Sequence, residues 1–99
     1  MKEIISGLNK LFDNRVRLGI MSLLAVSESV DFNTMKEMHD VTDGNLASHL
    51  KAIEKEGVIE VRKQFVGRKP NTSYVVTPLG KKLFQEHINA LERVINPFI

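Results

Sequence analysis

At Gly57 the chain passes from one kind of local structure to another, and this limits the folds open to it. Thr42 offers a hydroxyl to cap a helix whose apolar face is Leu46, Leu50 and Ile53. That helix ends at Gly57, because glycine best tolerates the left-handed conformation of a C-terminal cap. VIEVRKQF and TSYVVT follow, both rich in strand formers, joined by VGRKPN with the turn formers Gly67 and Pro70, so residues 58–77 read as a hairpin. Thr77 and Pro78 then supply the N-cap and first position of a long last helix over 78–95. It stops at Ile95 because Pro97 disfavours helical geometry at Asn96.

Upstream, Ile4, Leu8 and Phe12 recur at helical spacing, with Ile5 and Leu11 beside them, which predicts a helix within residues 1–13. Asp13 or Asn14 can cap the next run, about 14–26, whose apolar face of Val16, Ile20, Leu23 and Leu24 makes it the core scaffold. Val30 and Phe32 alternate around Asp31 in a stretch long enough only for an edge strand. Asn33 or Thr34 can cap a short helix through His39 that buries Met35 and Met38, and DVTDG interrupts it before the next helix. Two short helices separated by such a turn form a helix-turn-helix over 33–56. With no internal repeat, residues 1–99 make one domain, mainly α with a small β-hairpin.

Stability in this chain comes from packing, since it has no cysteine and therefore no disulfide and no thiolate chemistry; this fits a reducing, cytoplasmic setting. No apolar run approaches a membrane span or a signal-peptide core, so no membrane partner is expected. The net charge is only +2, but it is unevenly placed. Residues 58–82 carry Arg62, Lys63, Arg68, Lys69, Lys81 and Lys82 against Glu60 alone, while residues 1–57 hold seven basic and nine acidic side chains. Basic charge gathered in one place on a nearly neutral domain is the pattern of a face that meets phosphate.

Helix, short strand, helix, turn, helix, hairpin and terminal helix is the order of a winged helix-turn-helix. NRVRLGIMSLL, VTDGNLASHLKAIEKEGVIEVRK and TPLGKKLF occur in the right order and spacing, and from Asn14 to Ile95 the chain resembles the winged-helix transcriptional regulators of the MarR and ArsR type. It looks closest to their small stand-alone members. The resemblance implies a double-stranded DNA partner, with the three blocks serving as scaffold helix, recognition helix with wing strand, and dimerisation helix.

On the recognition helix the buried stripe leaves Gly44, Asn45, Ser48, His49, Lys51 and Ala52 on or near the other side. Asn45, Ser48 and His49 match the positions at which the resembling regulators approach DNA, and such side chains can meet base edges or phosphates in a major groove. The helix has no arginine, the commonest partner of guanine, so discrimination among bases leans on backbone charge and groove shape. In the resembling family the hairpin is the wing, and Arg68 and Lys69 fall at its tip. Arg62 and Lys63, adjacent on a strand, point to opposite faces, so one of them faces DNA. Arg15 and Arg17 either add phosphate contacts or form a solvated helix start.

Phe84, Ile88, Leu91 and Ile95 form an apolar stripe on the last helix that extends past the hairpin, with Leu83 and Val94 alongside. Ile4, Leu8 and Phe12 have no obvious partner within the winged core, so both stripes are expected at a homodimer interface. The alternative is that the two helices pack on each other within one chain. His39, His49 and His87 form no close ligand pair, so no metal and no cofactor are expected, and no nucleophile with a base or carboxylate pair suggests an enzyme. The leading expectation is a homodimeric transcriptional repressor. The other is a winged helix whose basic hairpin docks on an acidic protein. No feature of the sequence identifies an effector.

Overall fold

The computed structural model describes residues 2–98, the side chain of Ile4 excepted, so the interface contact expected of Ile4 lies outside the described residues. In chain order the elements are α1 (Lys2–Ser6), a 3-10 turn (Lys10–Phe12), α2 (Arg15–Ala25), β1 (Val30–Asp31), α3 (Phe32–Met38), α4 (Asp43–Lys55), β2 (Ile59–Val66), β3 (Lys69–Val76) and α5 (Pro78–Ile95). Side-chain caps start the four longer helices. Asn14 Oδ1 accepts from the Val16 and Arg17 amides, Asp31 from Thr34, Thr42 from Asn45 and Thr77 from Gly80. The cap of α3 is therefore Asp31, not Asn33 or Thr34: a carboxylate just ahead of Phe32 reaches the third helical amide and starts the helix earlier. The same helix ends at Met38, which leaves that side chain exposed, while Met35 is fully buried. His39 turns back and lays its ring on the backbone of α2 at Gly19, where a β-carbon would collide with it.

The three strands form an antiparallel sheet in the order β1-β3-β2, so β1 sits at one edge as the sequence indicates. Its pairing is minimal, with Val30 opposite Tyr74 and Asp31 opposite Ser73. The hairpin is longer and its turn tighter than expected. Val66 pairs with Lys69, leaving Gly67 and Arg68 as a two-residue turn, and Gly67 takes φ +67, as the first central position of a type II′ turn requires. Pro70 is inside β3, opposite Phe65. Such a turn closes on a hydrogen-bonded pair, so the next pair, Phe65 and Pro70, exchanges no backbone bonds and the missing proline N–H costs nothing.

The core lies where α2, α4 and the hairpin root meet, with Ile20, Leu24, Leu46, Leu50, Ile53 and Ile59 essentially sealed from solvent. The N-terminal segment departs from the single helix predicted for it. α1 stops at Ser6, Gly7 and Leu8 break the run, and Asn9 accepts from the Leu11 amide to cap the 3-10 turn. Glycine and a short amide that competes for backbone bonds both disfavour a continuous helix. The break swings Phe12 into the core at 1% exposure, where its ring meets Phe84 edge-on at 5.5 Å. Phe84, expected at a subunit interface, is thus committed to the chain's own core, and so is Phe12.

α1 packs on α5, and between the N-terminal segment, α2 and α5 lies an open, mostly apolar cleft of about 520 Å³ that Leu8, Phe12, Leu18, His87 and Leu91 help to line. His87 is buried at 4% exposure, and its Nδ1 accepts the Asn9 N–H at 2.9 Å. Toward the chain's end Val94, Ile95 and Phe98 are exposed. The molecule measures 54 × 26 × 21 Å, elongated for its size. Among the described residues no helix is long and apolar enough to cross a membrane.

The start of α5 lies directly on the backbone of Val58: a β-carbon at Gly80 would fall inside the radius of the Val58 carbonyl oxygen. Gly80→Ala is therefore expected to lower stability by about 1 to 3 kcal/mol, the usual cost of forcing atoms into a filled interior, as read from urea unfolding.

Candidate nucleic-acid interface

α4 and the hairpin present a continuous surface because both leave the core at the same point, Gly57 and Val58. The buried stripe of Leu46, Leu50 and Ile53 fixes the roll of α4 and leaves Gly44, Asn45, Ser48 and Lys51 exposed along its outer side. Nothing lies within 4 Å of a β-carbon placed at Gly44, so the first turn is open to close approach. Lys36 and Asp43 form an ion pair between α3 and the first turn of α4, both exposed to solvent. At such exposure it steadies the turn only slightly, but it offsets the acidic charge at the leading end of the helix.

His49 is placed differently from its neighbours. It is half-buried, and its Nδ1 accepts from Arg17 Nε at 2.9 Å, while Arg17 Nη1 donates to the Leu11 carbonyl at 3.4 Å. Arg17 is thus neither a free phosphate contact nor a solvated helix start: it braces α4 against the 3-10 turn through His49. Burial, and then the neighbouring guanidinium, lower the His49 pKa and hold the ring neutral. Burial likewise lowers the His87 pKa, with Asp13 partly opposing it. Sequence reasoning misses both contacts, because Arg17 and His49 stand 32 residues apart and Asn9 and His87 stand 78 apart, with no local pattern to link them.

The register of the hairpin separates its cations. Lys63 opposes Thr72 and shares a face with Val61, Tyr74, Phe65 and Pro70, whereas Arg62 opposes Ser73 on the other face. The Lys63 face is the one turned toward α4. Ala47, Lys51 and Glu54 from α4 and Val61, Lys63, Thr72 and Tyr74 from the hairpin line a shallow groove between them. Burial, and then the Glu54 carboxylate, raise the Tyr74 pKa, and Lys51 and Lys63 line the same groove. Arg62, Lys63, Arg68 and Lys69 are all exposed, and among the described residues none is in an ion pair. No group of three or more histidine, aspartate or glutamate side chains among the described residues could hold a metal ion.

The expected interface residues on the terminal elements fall into two sets. Leu8, Ile88 and Leu91 are half-buried within the chain, while Ile95 is 84% exposed.

Comparison with known proteins agrees with this geometry. The family model for a winged helix DNA-binding domain matches residues 16–95. An uncharacterised protein of Methanocaldococcus jannaschii is 37% identical over 79 residues, covering 80% of this chain and 86% of its own length. A transcriptional regulator homologue from Pyrococcus horikoshii OT3 superposes with a TM-score of 0.84 at 30% identity, over 97% of this chain and 93% of that one. NadR, solved in complex with 4-hydroxyphenylacetate, shares the fold at a TM-score of 0.73 and 21% identity, over 98% of this chain and 68% of its own.

The two histidines give the domain a pH dependence of definite sign. Protonating Nδ1 of His49 or His87 would set an N–H against the Arg17 or Asn9 donor, so the native state binds fewer protons than the unfolded chain. The associated stability is complete above the ordinary histidine value of about 6.5 and is lost as pH falls through that value toward the lowered native ones. Urea midpoints should therefore drop between about pH 7.5 and about pH 5. His87→Asn, whose amide oxygen can accept the Asn9 N–H without titrating, should shrink that drop.

Proposed function

This chain belongs to the winged helix DNA-binding domain family, and from that premise we propose that it is a homodimeric, sequence-specific regulator of transcription acting on double-stranded DNA in the cytoplasm. α4 enters the major groove, with Asn45 and Ser48 at base edges, Gly44 permitting close approach and Lys51 at phosphate. His49, held neutral by burial and by Arg17, braces the helix and offers its remaining ring nitrogen to the groove. The wing follows the backbone, with Lys63 on the α4 side and Arg68 and Lys69 at the tip, and Arg62 reaches the flanking strand. The observation that carries this reading is the set of four exposed wing cations, none of them in an ion pair among the described residues, beside the polar outer side of α4 within a matched DNA-binding family. Repression is the proposed mode, because a bound dimer blocks a promoter by occupying it and needs no further surface to do so.

Two copies meet, in this proposal, through the terminal elements. Ile5, Val94 and Ile95 are exposed along α1 and α5, and Leu8, Ile88 and Leu91 lie half-buried beside them, forming an apolar face that one chain does not cover. A two-fold axis there would set the two α4 helices about one DNA turn apart, roughly 34 Å.

Selection from random duplexes, followed by binding at several salt concentrations, tests the DNA reading. Affinity should fall linearly on a log-log plot against salt through counterion release, and no duplex binding even at low salt would favour docking on an acidic protein instead. Replacing Arg68 and Lys69 together by alanine should weaken binding to all duplexes and lower the salt slope by about one per lost phosphate contact, counted twice in a dimer. Val94→Glu with Ile95→Glu changes exposed positions only. Sedimentation should then show monomers, with most of the specific affinity gone and weak single-site binding left; an unchanged dimer would place the interface elsewhere.

A further inference from the structure

The tip of the wing is apolar as well as basic. Phe65 is 73% exposed and Val66 62% exposed, on neighbouring positions of β2 that face opposite ways. Phe65 stands opposite Pro70, so these two apolar groups form a cross-strand pair two residues beyond Lys63 and Thr72, on the face turned toward α4. The pair makes no contribution to the buried core, which reaches along β2 only as far as Ile59, with Tyr74 of β3 packed against it. An exposed aromatic at the end of an open edge strand invites unwanted pairing, and a polar β-former such as threonine would serve the strand as well. Folding therefore gives no reason for Phe65.

A partner does. From residue 62 to residue 69 the hairpin carries four cations and no acid, so whatever meets Phe65 must be anionic around its rim and apolar within. The minor groove is such a surface: phosphates line its edges, and the faces of the sugars and base pairs form its walls. Apolar wedges on DNA-binding proteins enter there and loosen the stacking of a base step. Strand rise carries Phe65 about 13 Å beyond Val61, outward from the core, while Lys63 on the same face meets backbone.

We propose that Phe65, backed by Pro70, is an apolar wedge that packs against the minor-groove wall of the duplex bound by α4. This deepens the proposed function and rests on it. The wedge adds affinity that salt does not screen, and it favours flanking sequences whose steps unstack easily, such as TA, over stiff A-tracts. Val66 points to the other face beside Lys69 and takes no part.

Fluorescence anisotropy with a selected duplex, at several salt concentrations, tests this. Phe65→Ala should weaken binding about tenfold, as expected for the loss of a buried aromatic contact, with the salt slope unchanged. Its loss should be largest on duplexes with a flanking TA step. Phe65→Leu, which keeps an apolar group, should recover most of the affinity, and Val66→Ala should bind as the parent does. Thermal melting followed by circular dichroism checks that each variant is folded, as surface positions lead one to expect. If the parent binds DNA and Phe65→Ala binds equally well at every salt concentration, the wedge is refuted and the DNA reading stands. A reduced slope for Phe65→Ala, equal losses from Val66→Ala, or a change in sedimentation on losing Phe65 would refute it too, the last by revealing a contact between copies. If the parent binds no duplex, both readings fall together.

Discussion

One threonine hydroxyl holds together the three parts on which the site depends. Thr77 Oγ1 donates to the Gly57 carbonyl at 2.6 Å and accepts from the Gly80 amide at 3.0 Å, while the Thr77 amide donates to the Val58 carbonyl at 3.1 Å. Gly57, at φ +78, turns the chain out of α4, Val58 begins the approach to β2, and Gly80 lets α5 rest on that same backbone. Each of these bonds contributes about 1 kcal/mol, as caps and hydrogen bonds usually do. Their geometric effect is larger. The end of α4, the root of the hairpin and the start of α5 share one joint, so the angle between α4 and the hairpin is set by backbone contacts rather than by long side chains.

The second constraint is electrostatic. α4 has no arginine, and its outer side carries small polar groups and one lysine pair split between exposed Lys51 and the last-turn Lys55. The strong charge is on the hairpin, where the side chains remain in water and no desolvation opposes them. Arg17, whose guanidinium does reach α4, is spent on holding His49. Orientation and attraction are thereby assigned to different elements.

How much of this could be read from sequence follows from the range of each interaction. Thr42, Gly57, Thr77 and Pro78 act as caps within three or four residues, and those roles were legible together with the order of elements and the winged fold; Asn14 was one of two caps open to α2, with Asp13. Asn33 and Thr34 mislead because Asp31, as good a cap as Asn33, stands just ahead of Phe32 and reaches the Thr34 amide, so the helix begins before either of them. The sequence suggests a longer turn because Pro70 looks like a strand breaker, and only the register shows that it occupies a pair that needs no N–H. At the N-terminus the spacing of Ile4, Leu8 and Phe12 imitates a helix; the observed path depends on Asn9 meeting His87 and on Phe12 meeting Phe84, contacts that no local window contains. For the candidate site, the exposed positions of α4 and the wing were legible from periodicity and charge. The brace on His49 and the faces of the hairpin on which Lys63 and Arg62 stand were not, since both need the folded structure.

The outer half of the hairpin, from Arg62 to Pro70, is exposed throughout, and none of its side chains belongs to the core of the described residues. Substitutions there escape the penalty that follows any change at Leu50, Phe84 or Gly80. A gene encoding this fold can therefore try out new wing tips by drift, one residue at a time, without first acquiring spare stability. Duplicated copies would then be expected to diverge soonest at the wing, keeping the same architecture while coming to serve different stretches of a genome.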